Sequence, residues 1–184
     1  MLARILIATA LLIPTIALAQ TSPYAGQQNR EIKALAPDDV DGLLQGKGMG
    51  LAKAAELNGY PGPLHALELA ADLGLSAQQA ADLKDIQARM AEAAKKIGAA
   101  IVERERDLDR LFAEHRIDPA SLTQATAGIG ALQGQLRAVH LMAHLETRTV
   151  LSDEQVRRYD ALRGYGSPGQ GQHRHHGNGH KHGG

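Results

Sequence analysis

A long segment without proline limits what this chain can fold into. From Ser76 to Glu114 the sequence contains no proline and a single glycine, and its apolar residues recur mostly at steps of three and four. That spacing predicts one amphipathic helix, ~58 Å long at 1.5 Å per residue. The stripe consists of Leu83, Ile86, Met90, Ala93, Ile97, Ile101, Leu108 and Leu111, and it ends at His115.

A second stripe of the same kind follows after a short break. Within the break, Asp118 and Pro119 suit the N-cap and first turn of a new helix. A connection of about five residues makes the two long helices antiparallel neighbours. The second stripe consists of Leu122, Ala125, Ile129, Leu132, Leu136, Val139, Ala143, Thr147 and Val150.

The fold class predicted from these patterns is all-α, a long antiparallel helical hairpin with shorter flanking helices. The flanking helices are expected at 38–57, where four glycines weaken the pattern, at 63–75 and at 152–165. Aromatic residues make up 3% of the chain, so the core must be aliphatic, which suits helices.

The two ends of the chain predict segments that lie outside this fold. Residues 1–19 carry one early charge, an apolar run and Ala17-Leu18-Ala19, which is typical of a signal peptide cut after Ala19; an uncleaved anchor is the alternative. Export predicts a periplasmic protein, and the absence of cysteine means that no disulfide supports it. We expect a flexible leader over 20–38, a helical domain over 39–164 and a disordered His/Gly-rich tail over 165–184.

One short sequence motif occurs twice. Residues 75–79 read LSAQQ and residues 151–155 read LSDEQ. In each copy a serine (Ser76, Ser152) and a glutamine three residues later (Gln79, Gln155) form the pattern of a capping box at a helix start. Two ordinary helix starts would account for the pattern.

In its order and spacing around the long helices, the repeated motif resembles the periplasmic Spy/CpxP family, which includes ZraP-like and CnrX-like metal-binding members. That family carries Leu-Thr-x-x-Gln twice, and this chain has serine in place of threonine. The resemblance, which covers about residues 60–164, implies a hairpin that pairs into a curved antiparallel dimer. It also implies an ATP-independent chaperone for misfolded envelope proteins, with accessory metal binding. The alternatives are a metal sensor or buffer without chaperone activity, and an adaptor that restrains a sensor kinase.

Histidine spacing predicts where a metal would bind. His140 and His144 lie four residues apart, so they share one helix face at the border of the apolar stripe and are expected to point partly outward. Such a pair can bind a Zn, Cu, Ni or Co ion, with His65 as a third ligand; two polar-edge residues of a helical core are the alternative. The tail adds a flexible metal-binding tract unless it is an engineered tag: His173, His175, His176, His180 and His182.

Other classes of function are poorly supported by the sequence. There is no cysteine nucleophile, serine elbow or phosphate-binding loop, so we expect neither an enzyme nor an organic cofactor. The 20 basic and 20 acidic residues balance, which gives no case for nucleic-acid binding. Basic groups on the hairpin favour weak binding of unfolded chains, although an ordinary solvated helix face explains them equally: Lys84, Arg89, Lys95, Lys96, Arg104, Arg106, Arg110, Arg137 and Arg148.

A thin, alanine-rich seam between two long helices predicts a homodimer, because so little buried surface does not stabilise a single chain. The residues expected to be shared with the second chain are Leu83, Ile86, Met90, Ile97 and Ile101.

Overall fold

The computed structural model describes residues 21–165, and this part of the chain is all-helical, without strands. A 3₁₀ turn at Gln27–Asn29 precedes the α-helices. Residues 1–20, which include the predicted signal peptide, and residues 166–184 lie outside the described residues. The helices are α1 (Pro37–Leu44), α2 (Lys53–Glu56), α3 (Pro63–Glu68), α4 (Ala70–Leu73), α5 (Ala77–Ala113), α6 (Pro119–Val150) and α7 (Asp153–Leu162).

The two long helices, α5 and α6, pack against each other and form the scaffold of the fold. Asp118 caps α6 as predicted, because its Oδ1 accepts hydrogen bonds from the backbone N–H groups of Ala120 and Ser121, both at 2.8 Å. Near the other end of the pair, Arg89 of α5 donates to Glu146 of α6 at 2.8 Å.

Two apolar clusters hold the short helices against the long pair. The first lies beside α3, α4 and α7 and includes Leu83 and Tyr159, both fully buried. The second lies farther along the pair, where Leu43 of α1 meets Ile101 of α5 and Leu136 of α6. The short helices therefore cover much of the apolar stripe that the long helices alone would leave exposed.

This covering changes the expectation about the dimer. Leu83, Ile86 and Ile101 were expected to be shared with a second chain, but they are buried within one chain. Met90 and Ile97 are partly buried against the same clusters. A second copy is therefore not needed to bury Leu83, Ile86 and Ile101, while Met90 and Ile97 keep partly exposed surface.

The segment predicted as a flexible leader packs onto α5 over part of its length. Ile32 is only 3% exposed and belongs to the second cluster. Lys33 binds Asp109 through both its backbone N–H (3.2 Å) and its Nζ (2.8 Å), and Glu31 accepts from Arg106 at 3.0 Å. Because the segment is mostly polar, its sequence did not indicate that Ile32 would be buried or that the residues on either side of it would form ion pairs.

The two flanking segments expected before α5 are each divided. The pattern over 38–57 forms α1 and α2, with turns between them in which Gly46 and Gly50 adopt positive φ angles of 65° and 77°. The pattern over 63–75 is interrupted at Leu69 and forms α3 and α4. Within residues 21–165, no helix has the length and apolarity required to cross a bilayer.

A close backbone contact fixes α1 against α5. A Cβ atom built on Gly98 would lie 2.1 Å from the carbonyl oxygen of Leu43 and 2.7 Å from its carbonyl carbon. Only glycine lets the end of α1 approach α5 this closely, so Gly98 is a packing residue of the second cluster.

Candidate functional site

The two capping boxes meet in space and form one hydrogen-bonded unit. Ser76 and Gln79 cap α5, while Ser152 and Gln155 cap α7. The two glutamine side chains also bond to each other reciprocally, with N···O distances of 2.8 and 3.1 Å. Gln79 donates further to the carbonyl of Val150 and Gln155 to that of Leu73. The repeated motif therefore joins the start of α5, the end of α6 and α7.

His140 lies inside the fold rather than at its edge. It is 3% exposed, and its Nε2 has no hydrogen-bond partner in the described part of the chain. Burial lowers the pKa of His140, and the charge of His144 one turn away lowers it further. The predicted outward orientation is therefore wrong for His140, and its burial disfavours the protonated ring.

The buried His140 predicts a loss of stability in mild acid. In the unfolded chain its pKa is ~6.5, and in the folded chain it is lower, so below about pH 6.5 the unfolded state binds more protons. The contribution of His140 to the free energy of unfolding should be constant above that pH. It should fall as the pH drops from about 6.5 toward the folded pKa and level off below it. Urea unfolding of His140→Leu between pH 7.5 and 5 should show a shallower fall than the parent. The exposed residue His115 supplies the control, since His115→Asn should follow the parent, and identical slopes in all three proteins would contradict the assignment.

His144 is turned toward the loop after α2. Its Nδ1 lies 2.7 Å from the carbonyl oxygen of Tyr60 and 3.6 Å from a carboxylate oxygen of Glu56. The Nε2 side of the ring faces Gly62, where a Cβ atom would lie 3.1 Å from that nitrogen. His140 and His144 thus share a helix face, as predicted, but belong to different environments.

Glu56 is the centre of a polar cluster that the sequence patterns did not reveal. Its Oε1 accepts from the hydroxyls of Tyr159 (2.5 Å) and Tyr165 (3.2 Å), and its Oε2 accepts from the N–H of Gly62 (3.2 Å). The guanidinium of Arg163 lies 3.5 Å away. Burial, and then the bond to Glu56, raise the pKa of the Tyr159 hydroxyl, so it remains a donor.

An open cleft of about 400 Å³ adjoins this cluster. His65, His144, Glu56, Arg163 and Tyr165 are among the residues that line it. The Nδ1 of His65 lies 2.9 Å from a carboxylate oxygen of Glu68. The structure therefore brings two of the predicted ligands, His65 and His144, to one cleft.

The predicted three-histidine metal site is not assembled. Within residues 21–165, no group of three or more potential ligands from histidine, aspartate, glutamate or cysteine is placed to hold an ion. His140 is 3% exposed and lies inside the fold, whereas His144 and His65 line the cleft. The other predicted ligands, His173, His175, His176, His180 and His182, lie outside the described residues.

A second and larger cleft, which we call the distal cleft, lies between α5 and α6 near the connection that joins them. Its volume is about 820 Å³. Leucines and an alanine contribute its apolar lining, and charged groups of both signs surround them. The lining residues are Arg104, Asp107, Leu108, Arg110, Leu111, Glu114, Arg116, Ser121, Gln124, Ala125, Gly128 and Leu132.

Comparisons with known proteins do not indicate a function, so a functional proposal rests on the geometry of the molecule itself. No family model, no curated protein and no solved structure matches the chain. The features available for a functional proposal are thus the distal cleft, the histidine-lined cleft and the Glu56 cluster.

Proposed function

We propose that this protein is a periplasmic, ATP-independent chaperone-like protein of envelope stress, with accessory binding of a divalent metal. The observation that carries this proposal is the distal cleft, an open apolar surface rimmed by charges. The resemblance of the repeated motif to the Spy/CpxP family supports the same assignment. Export to the periplasm rests on the N-terminal sequence alone.

The chemistry of the distal cleft suits weak binding of unfolded segments. Leu108, Leu111 and Leu132 offer apolar contacts that do not depend on a particular sequence. Arg110 pairs with Asp107 and Arg116 pairs with Glu114, so the rim offers both signs of charge. An open cleft with such a lining can accept many different segments briefly.

Two exposed apolar side chains lie at the same end of the helix pair, outside the lining of the distal cleft. Phe112 is 52% exposed at the end of α5, and Leu122 is 38% exposed at the start of α6. An apolar patch with a polar rim is typical of a protein-binding surface. In the proposed arrangement α5 and α6 form an antiparallel hairpin, and a second copy of the chain would complete a homodimeric cradle around such clients.

A charge placed at the cleft should reduce chaperone activity without harming the fold. Gly128 lines the distal cleft, and a Cβ atom there meets nothing within 4 Å. In Gly128→Glu we expect aggregation of an unfolding client to be suppressed at least ~3-fold less well, because the carboxylate disfavours burial of apolar client groups. The readout is light scattering of a heat- or reduction-sensitive client.

The matched control is Gly130→Glu. Gly130 is also an exposed α6 glycine with open space at its Cβ, but it does not line the cleft. This variant should suppress aggregation as well as the parent. Equal suppression of aggregation by both glutamate variants would contradict the proposal that the distal cleft binds client segments.

Metal buffering or sensing without chaperone activity is the second candidate function. The observation that favours it is the shared cleft of His65 and His144. Ions of Zn, Cu, Ni or Co are all compatible with imidazole ligands. This candidate predicts metal binding but no suppression of aggregation in any metal state.

A further inference from the structure

The leader segment, residues 21–35, is attached to α5 at a single apolar point. Of these residues Ile32 is the one that is buried, at 3% exposed, and it belongs to the second cluster together with Val102 of α5. Tyr24, the aromatic residue of the segment, is 73% exposed. Segments with few buried apolar contacts open at a lower free energy than the core of a protein does. The leader can therefore leave α5 while the long helices stay folded.

The surface of α5 beneath the leader, which we call the leader site, combines an apolar residue with charges of opposite sign. Val102, Arg106 and Asp109 follow one another at steps of four and three, so they lie on one face of the helix. Arg106 donates to Glu31 at 3.0 Å, and Asp109 accepts from the Nζ of Lys33 at 2.8 Å. The site thus matches a segment in which an acidic, an apolar and a basic residue follow in order.

Part of this recognition does not depend on the side chain of the bound residue. The Oδ1 atom of Asp109 also accepts a hydrogen bond from the backbone N–H of Lys33 at 3.2 Å. Every residue except proline offers such a donor. The leader site can therefore bind a segment of another protein chain through the same kind of contacts.

Release of the leader leaves few groups without partners. Arg106 also pairs with Glu103 of its own helix, so it keeps a counter-ion when Glu31 departs. The side chains of Glu31 and Lys33 are 77% and 49% exposed, and ion pairs of exposed groups are weak and screened by salt. Asp109 loses Lys33, which favours its occupation by another basic segment.

We propose that the leader is a displaceable occupant of this site, and that unfolded client segments with an apolar residue between an acidic and a basic one displace it. The inference rests on the proposed chaperone function and adds a second client site to the distal cleft. The two sites are distinct, since neither Arg106 nor Asp109 lines that cleft. While bound, the leader covers apolar surface that a client would otherwise reach.

The test uses residues 20–184 of the chain and a fluorescent peptide with the sequence of residues 27–36. In Ile32→Asp the leader should detach, because burial of a carboxylate in the apolar cluster is disfavoured. Ala34→Asp is the matched control, since it adds the same charge at an exposed residue of the leader. Fluorescence anisotropy measures peptide binding, and circular dichroism measures the helical fold of each variant.

We expect the peptide to bind Ile32→Asp at least ~10-fold more tightly than the parent or Ala34→Asp, whose own leader competes at a high effective concentration. A peptide carrying Lys33→Glu should bind Ile32→Asp at least ~10-fold less tightly, because like charges then meet at Asp109. A further Asp109→Lys change in the chain should recover much of that binding.

Opening the leader site should also increase the suppression of client aggregation. In light scattering with excess chelator, Ile32→Asp should suppress aggregation at least ~2-fold better than Ala34→Asp, since more apolar surface is open to the client. Excess unlabelled peptide should remove this gain and leave the suppression by Ala34→Asp unchanged.

Loss of the helical fold in Ile32→Asp would overturn the proposal, because the leader would then be an integral part of the core. A folded Ile32→Asp that does not bind the peptide would overturn it too, as would equal binding of the charge-reversed peptide. Equal suppression by Ile32→Asp and Ala34→Asp would overturn the use of the site by clients. If the peptide binds as expected but no form of the chain suppresses aggregation, the proposed chaperone function fails while the displaceable leader stands.

Discussion

Gly98→Ala is expected to lower the free energy of unfolding by about 3 kcal/mol, the upper range for overpacking. The new methyl group would overlap the backbone of Leu43, with a Cβ-to-oxygen distance of 2.1 Å. Backbone atoms cannot rotate away as a side-chain end can, so α1 must move off α5. The second cluster then loses part of the contact between Leu43 and Ile101.

Gly134→Ala is the matched control for this change. Gly134 lies in α6, and a Cβ atom there meets nothing within 4 Å. Alanine should therefore raise the free energy of unfolding by about 0.5–1 kcal/mol, because it has the higher helix propensity. Urea unfolding followed by circular dichroism measures both, and an unchanged or higher stability of Gly98→Ala would contradict the packing of α1 described above.

Glu56→Ala is expected to cost about 2–3 kcal/mol, since it leaves buried donors without an acceptor. The Tyr159 side chain is fully buried, and its hydroxyl donates to Glu56 at 2.5 Å. The N–H of Gly62 and the hydroxyl of Tyr165 lose the same acceptor. The loop after α2 and the end of α7 should loosen together.

Tyr159→Phe isolates the central bond of this cluster. Removing the hydroxyl in the parent should be costly, but in the Glu56→Ala background it should cost about 1 kcal/mol less, or even stabilise, because the orphaned donor is removed. The four unfolding free energies form a double-mutant cycle. Additive effects would show that Glu56 and Tyr159 act independently, against the geometry.

The long helices were predictable because their signals are local. The apolar periodicity places α5 and α6 within a few residues of their bounds, and Asp118 and Ser76 mark their starts. These signals act within one or two turns of the backbone. They need no knowledge of what packs on the helix.

The arrangement of the polar sites was not predictable, because it depends on contacts between distant residues. Glu56 ends a helix of one turn, which is too short to show an apolar periodicity. Its partner Tyr159 lies 103 residues away in the sequence. The repeat of Leu-Ser-x-x-Gln was visible, but nothing local indicated that Gln79 and Gln155 bond to each other.

The histidine pair shows the same limit. Spacing alone put His140 and His144 on one face of a helix, and this holds in α6. Which elements cover that face depends on the tertiary structure. His144 contacts the loop after α2, whereas His140 is buried in the core. Ile32 in the leader was missed for the same reason, since one apolar residue in a polar segment carries no period.

The proposed function requires this chain to hold unfolded proteins without ATP or metal. Light scattering of an unrelated, chemically unfolded protein on dilution tests this requirement, with residues 20–184 of the chain, excess chelator and no nucleotide. We expect an equimolar amount of the chain to suppress the scattering clearly, and Gly128→Glu to suppress it less than Gly130→Glu. Scattering that is the same with and without the chain, in chelator and in zinc alike, would contradict the claim.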